Sequence, residues 1–390
     1  MILSFYNMLI YLVIYIPFIL CAYYDFVKTP KEMKNQILWF WVIVFTLFRG
    51  LRWKIGTDWD QFYYVYRHAH WENVFSFDRY GNGMLMDYGY MAVNALFNEA
   101  RLPYTVFLLV TSFWILWCYR SFSLRFTKYP ILTFILLMNV GVPFPVRQTL
   151  SLATMLWGFR FAMDKQWIKF VSVSLGAGLL HKGSFIGIVV VILPYIVNKW
   201  RIKWWWYAVA YASTFFIAEL FRDSISDAIS LIAGAEKQLS SYSEQYMQRD
   251  DLSVDFGNYN SSLMNGMGYT LFFVVLLWVR EKNKLVCNYK IRHFEVFFFM
   301  YSLVAILDNV TRQGQATGMT EVLTRVTATI DMFPIIFPLF FTVFLGKLTR
   351  RNTIIVWGAF SLYMSYKFWN QIPGSFFNFL YIPYHSIFYL

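Results

Sequence analysis

Long uninterrupted apolar runs, not alternating ones, set the pattern of this chain. Ile131–Val142 and Phe333–Leu345 each continue for about a dozen residues without a charge. A transmembrane β-barrel would instead show ~10-residue segments alternating apolar and polar positions. Helices near the ~20-residue scale of a bilayer crossing are therefore expected. Twelve candidate crossings lie at about 3–24, 36–51, 103–119, 129–146, 148–163, 167–181, 183–198, 204–221, 268–280, 294–309, 326–346 and 353–370. The segment 84–100 is moderately apolar, but counting it as a crossing would move Arg120, Arg125 and Lys128 to the outer side. It is expected as a re-entrant or interfacial helix whose apolar Met91, Ala95 and Leu96 oppose a wet face of Asp87, Asn94, Asn98 and Glu99. The fold class that follows is all-α: a polytopic integral membrane protein, with residues 1–390 as one transmembrane domain.

Composition sharpens this reading. Of 390 residues, 58% are apolar and only 14% charged, with 41 Phe and 16 Trp. Soluble domains carry about 25% charged residues, so a soluble enzyme is excluded. The first charge is Asp25 and the first basic residue Lys28. No basic stretch precedes the first apolar run, which is expected as an uncleaved crossing. Cys21, Cys118 and Cys287 are scattered and suggest neither a disulfide framework nor a metal cluster.

Charge then gives an orientation. With the N-terminus outside, the inner loops 25–35, 120–128, 164–169, 199–203, 280–292 and 347–352 hold 19 Lys and Arg in about 50 residues. The outer segments 49–102, 222–267 and 310–325 hold 11 in about 116 residues. That asymmetry is the positive-inside pattern, and it places both chain ends outside. The net charge of +12 is thereby accounted for by topology, so nucleic acid is not an expected partner. No P-loop or G-x-G-x-x-G pattern occurs, which excludes ATP-driven transport by this chain alone.

Against that background, several polar groups stand out by abutting apolar spans on the outer side. They are Arg49, Arg52, Lys54 and Asp58, then Arg147, His181, Lys182 and Arg325. Cations are normally avoided there, so their convergence reads as an outward-facing cationic pocket. Arg147 follows Pro143 and Pro145, which break the helix before the next span opens. A guanidinium near a helix N-terminus favours an anion and forks onto phosphate oxygens. The alternatives are a snorkelling side chain or a neutralised pair with an acid such as Asp58. His181, at the end of an apolar run, has the chemistry of a general base, or of an interface residue bonded to a carbonyl. Asp58-Trp59-Asp60 has a spacing seen in metal-dependent sugar transferases, but an outer location lies away from nucleotide sugars, so no metal is expected. Asp58 remains a second candidate base.

The run Phe48-Arg49-Gly50-Leu51-Arg52 through Gly56-Thr57-Asp58-Trp59 to Tyr63 resembles the signature after an early span in EpsG-type, Wzy-like bacterial polysaccharide polymerases. Val146-Arg147-Gln148, Leu180-His181-Lys182-Gly183-Ser184, Tyr242 to Tyr246 and Leu323-Thr324-Arg325-Val326 are similar to later motifs of the same family, in order, over about residues 40–345. Lys182 and Trp59 depart from the family pattern. The resemblance implies a membrane glycosyltransferase, compatible with a GT-C-like architecture, in the bacterial inner membrane. It implies transfer of a growing glycan from undecaprenyl pyrophosphate to the terminal sugar of a new lipid-linked repeat unit. On this view His181 and Asp58 are catalytic, and Arg49, Arg52, Arg147, Gln148, Arg325, Tyr242 and Tyr246 bind substrate. No cofactor is expected because the donor is already activated. Expected partners are undecaprenyl-pyrophosphate-linked oligosaccharides, membrane lipids and a chain-length regulator protein.

Three rival classes are weighed against this. A lipid-linked oligosaccharide flippase would need charges near the midplane and often internal repeats, whereas these arginines sit at span ends and no repeat is seen. A glycan O-acyltransferase would place its histidine to meet a cytosolic acyl donor. A scaffold role leaves the clustering unexplained.

Overall fold

The apolar runs fold as helices. The computed structural model describes residues 2–56, 59–78, 86–138, 147–189, 202–220, 270–278, 280–281, 291–313, 331–338, 350–372 and 381–389. Among them there is no strand, only an isolated antiparallel bridge between Arg52 and Ser386. The all-α class is thus observed. The residues group into two compact units, one formed by Met1–Phe77, Asp87–Lys182 and Phe337–Leu390, the other by Asp78–Met86 and Gly183–Ile336.

The first unit begins with α1 (Ile2–Leu20), the single turn α2 (Tyr23–Phe26), α3 (Lys31–Gly50) and α4 (Trp59–His68). It continues through α5 (Tyr88–Glu99), α6 (Tyr104–Phe126), α7 (Pro130–Leu137), α8 (Arg147–Met163) and α9 (Trp167–Leu180). Among the described residues two stretches, Met8–Phe26 and Tyr104–Phe126, are long and apolar enough to cross a membrane, with Trp167–Leu180 and, in the second unit, Glu295–Leu307 as shorter apolar helices. The crossings expected at 129–146, 183–198 and 326–346 lie partly outside the described residues.

Aromatic interdigitation holds this unit together. Tyr11, Tyr15 and Phe18 recur every three or four residues on one face of α1 and are fully or almost fully buried. The Phe18 ring lies 4.8 Å from Phe45 and 5.1 Å from Trp41 on α3, and 5.9 Å from Phe134 on α7. Such pairs contribute ~0.5–1.5 kcal/mol each beyond area burial. That matters in lipid, where apolar burial does not drive helices together and packing contacts must. α6 is the central element, touching α3, α5, α7 and α8. Its buried Thr111 hydroxyl donates to the Phe107 carbonyl at 2.7 Å, so the helix satisfies its own polar group. Gly50 brings the last turn of α3 onto α6, since a Cβ there would lie 2.8 Å from the Leu109 Cα.

α8 and α9 form a tight hairpin. Gln166 N–H donates to the Phe161 carbonyl at 2.8 Å and Lys165 N–H to the Ala162 carbonyl at 3.1 Å, ending α8. Lys165 takes the left-handed conformation, with φ 61°, that this kind of helix stop needs. The hairpin's open end therefore sets the first residue of α8 beside the end of α9.

Three sequence expectations change here. The stretch 120–128, expected as an inner loop, is helical to Phe126, so Arg120 and Arg125 ride on the last turns of α6. Buried Phe122 and Phe126 prolong the helix past those charges. The segment expected as a re-entrant or interfacial helix is helical as α5, with Met91 and Ala95 buried, but Asn94 is also fully buried and Leu96 is exposed. Asn94 turns inward because its amide donates to the Tyr90 carbonyl at 2.7 Å. Helix α4 was not expected, although its buried Trp59, Phe62, Val65 and Tyr66 fall at helical spacing.

The second unit contains α10 (Ile186–Val189), α11 (Trp204–Leu220), helical residues 270–278 and α12 (Ile291–Gln313). Its Tyr211 stacks on Phe273 at 4.5 Å. Arg280, counted from sequence among the inner-loop cations, is buried and ion-paired. It donates to Glu295 Oε2 at 2.7 and 3.0 Å and to the Ile202 carbonyl at 2.7 Å. The final long helix, α13 (Arg350–Gln371), belongs to the first unit, where Phe368 stacks on Tyr15 at 4.9 Å.

Removing one partner of a buried pair strands the other charge, at about 3–5 kcal/mol, whereas replacing both by apolar residues is often neutral. Arg280→Met is accordingly expected to lower the thermal unfolding midpoint in detergent markedly. The double variant Arg280→Met/Glu295→Leu should recover most of the loss.

Candidate active site

The open end of the α8–α9 hairpin carries two of the residues singled out from sequence. Arg147 opens α8 and His181 is the residue that ends α9. A third element joins them. Gly89, in the first turn of α5, approaches the last turn of α9 so closely that a Cβ would lie 2.8 Å from the Leu179 carbonyl carbon. That approach delivers Asp87, the residue preceding α5, into the gap between Arg147 and His181.

Asp87 is only 6% exposed, and its carboxylate is satisfied from three directions. Arg147 Nη1 lies 3.0 Å from Oδ2, His181 Nδ1 lies 3.5 Å from the same oxygen, and the Lys182 backbone N–H donates to Oδ1 at 3.2 Å. Burial works to raise the Asp87 carboxyl. The His181 hydrogen bond and the Arg147 charge outweigh it and hold the group below the ordinary carboxylate range. Asp87 is thus an anion at neutral pH. It accepts from Nδ1–H of His181, which leaves Nε2 as the basic nitrogen. The Arg147 and His181 side chains keep 18% and 19% exposure, enough for a ligand to reach them.

Arg49 and Arg52 form a second cationic group where α3 ends. They are 5% and 4% exposed. Tyr15 and Tyr119 lie within electrostatic reach of Arg49, and Tyr104, Tyr384 and Tyr90 within reach of Arg52. Among the described residues Arg49 has no ion-pair partner, and its Nε has no hydrogen-bond acceptor. Burial pushes Arg52 down to about 10, against the opposing influence of Tyr104, so it stays cationic at neutral pH. Residues 381–389 cover this region. Trp53 N–H donates to the His385 carbonyl at 2.9 Å, Ile387 N–H to Leu51 at 3.0 Å, and Tyr384 stacks on Phe48 at 4.7 Å.

Of the residues expected from sequence, Arg147 and His181 are brought together, with Gln148 next to Arg147 on α8. Arg49 and Arg52 are brought together where α3 ends. Asp58, Arg325, Tyr242 and Tyr246 lie outside the described residues. Asp87 was read from sequence only as part of a wet helix face. The carboxylate found beside Arg147 is Asp87, and its position just before an apolar, glycine-containing helix is the signal that could have marked it. Among the described residues no three His, Cys, Asp or Glu side chains gather as a metal site would require. The arrangement suits proton transfer at His181 and anion binding at Arg147.

The folded Asp87 carboxyl is held below its unfolded value of ~3.9. Its pairing therefore contributes stability that is fully present above that value and lost as pH falls through the folded one. Thermal stability attributable to Asp87 is expected to be flat from pH 8 to 5 and to fall below about pH 4, with Asp87→Asn lacking that acid-side loss in a melting series. Gly89→Ala should force α5 off α9 and destabilise by about 1–3 kcal/mol, read in the same melts.

Residues 35–386 match the EpsG family. No curated protein and no solved structure matches the chain. The match takes in most of α3, the arginines at and beyond its end, the Arg147–Asp87–His181 cluster and the covering segment as far as Ser386. The chain belongs to the EpsG family and is a membrane protein of polysaccharide biosynthesis.

Proposed function

We propose that this protein polymerises lipid-linked oligosaccharide repeat units at the outer face of the bacterial cytoplasmic membrane. The donor would be a glycan on undecaprenyl pyrophosphate, and the acceptor the terminal sugar of a second lipid-linked unit. The observation that carries this reading is one buried carboxylate, Asp87, fixing a histidine and an arginine side by side at a helix start. General-base and leaving-group functions are thereby adjacent.

In this reading the acceptor hydroxyl oxygen attacks the anomeric carbon, and its proton passes to His181 Nε2. The bond between that carbon and the pyrophosphate oxygen breaks, and the negative charge collects on the departing diphosphate. Arg147 meets that charge. A guanidinium carries five donors, more than one carboxylate absorbs, so pairing with Asp87 is compatible with a phosphate contact. Preorganised donors of this kind contribute about 10²–10³ in rate each. Arg49 and Arg52 add a fixed positive field, which their burial makes stronger than it would be in water. Arg325, Gln148, Tyr242 and Tyr246 are assigned to substrate contacts and Asp58 to a supporting carboxylate. Attack opposite the leaving group inverts the anomeric centre. The N- and C-termini lie outside, and a chain-length regulator is the proposed protein partner.

Separate Ala substitutions at His181 and Arg147 are expected to abolish the glycan ladder on gels by at least 100-fold. Single repeat units should remain on the outer side. Arg147→Lys should retain partial activity, because it keeps the charge but not the fork. If repeat units fail to reach the outer side in these variants, a flippase is indicated instead. Retention of anomeric configuration in the product would overturn the single-displacement step.

A further inference from the structure

A helical hairpin closed by a tight turn splays most easily at its open end, and the open end of α8 and α9 is where Arg147 and His181 stand. Toward the closed end the contact is close and apolar: a Cβ on Gly158 would lie 2.9 Å from Val173 Cγ1. Nearer the open end the Ser174 hydroxyl meets the Met155 sulfur at 3.5 Å, and a thioether is a weak acceptor. The next turn carries Ser151, whose hydroxyl donates across the hairpin to the Ala177 carbonyl. Ser151 and Ala177 are both fully buried, so the bond is shielded from solvent. In lipid, where apolar burial does not draw helices together, hydrogen bonds between them count.

The Ala177 carbonyl has a second donor. It accepts the His181 backbone N–H at 3.0 Å, the bond that ends α9. A carbonyl oxygen has two lone pairs, and here one holds the His181 backbone while the other holds α8. On α8, Ser151 stands one turn after Arg147, so the two share a face of the helix. One oxygen thus refers the backbone of the histidine to the turn that carries the arginine. Asp87 works at a different level. It reaches Arg147 through a long, rotatable side chain, so it fixes the guanidinium tip and not the helix beneath it. α8 is also held on its other side, where Trp114 Nε1 on α6 donates to Thr154 Oγ1 at 3.0 Å. That bond ties α8 to α6 without involving α9, and so separates general stability from the spacing of the hairpin.

We propose that Ser151 is a positioning residue: its bond to the Ala177 carbonyl sets the distance between His181 and Arg147, the gap in which a hydroxyl is deprotonated beside a charged leaving group. Its effect on turnover rests on the polymerase reading, whereas the tie itself is tested without it.

The test compares full-length Ser151→Ala and Thr154→Val, each assayed in detergent for polymerisation of lipid-linked repeat units and for thermal unfolding. Ser151→Ala is expected to lower kcat ~10-fold with KM changed less than about twofold, since a small misplacement of reacting groups costs rate and not binding. Ser151→Thr keeps the hydroxyl and should recover most of kcat. Where its added methyl prevents folding, Ser151→Cys, a weaker donor, should give an intermediate kcat. Thr154→Val should lower the melting midpoint comparably and leave kcat within about twofold. In melts, Ser151→Ala and Asp87→Asn should be non-additive, because the first loosens the gap that the second bridges, whereas Thr154→Val and Asp87→Asn should add. Equal kcat losses in Ser151→Ala and Thr154→Val would overturn the proposal, as would additive melts for Ser151 and Asp87. If His181→Ala leaves the glycan ladder intact, the polymerase reading fails and the melts alone decide the tie.

Discussion

An ionised carboxylate that has left water needs partners on every side, and Asp87 finds three on two separate parts of the chain. A guanidinium, an imidazole and a backbone N–H reach it from the start of α8, the end of α9 and the residue beyond. The cost of burying one charge without compensation is several kcal/mol, so the three elements cannot separate cheaply. Their relative placement is set by this electrostatic requirement together with the contact at Gly89. Reactivity follows from the same requirement. The carboxylate that keeps Arg147 in place also directs the basic nitrogen of His181 away from itself.

The distribution of cations along α8 has a physical logic. At one end Arg147 is held by a carboxylate in a mostly dry setting, and at the other Arg160 is held by an indole. The first arrangement fixes direction and suits chemistry on a charged leaving group. The second holds a guanidinium by its flat face at a helix end, near the Arg125–Asp164 pair. Between them α8 presents a buried face of small and apolar residues, with Ser151 donating to the Ala177 carbonyl across the hairpin. Thr154 in the same stretch donates to the Leu150 carbonyl at 2.8 Å, so these hydroxyls are satisfied within the helices, as a low-dielectric setting demands.

How far the sequence anticipated this depends on the range of the interaction. Arg147 and His181 were legible because each interrupts an apolar run, and the hairpin between them because Asp164-Lys165-Gln166 breaks the apolar pattern. Arg49 and Arg52 were legible for the same reason, though not their deep burial among tyrosines. Asp87 was not recognised, since its partners lie sixty and more positions away and nothing in local spacing points to them. Asn94 was assigned to the wet face because composition cannot show a side chain bonding back to its own helix. α4 was missed because a ten-residue amphipathic segment rich in tyrosine lacks the length that marks a crossing. The covering segment 381–389 pairs with residues near 50, and no periodicity reports such a contact.

That last contact places a constraint on biosynthesis. The Tyr384 hydroxyl donates to the Phe48 carbonyl across 336 positions of chain. At about 5–20 residues per second, roughly 15–70 s separate emergence of the α3 terminus from arrival of its lid. Throughout that interval Arg49 and Arg52 lack the cover that residues 381–389 supply. The nascent chain must carry those two cations through membrane insertion before their final shelter exists, so this corner of the protein becomes native only when residues 381–389 have followed.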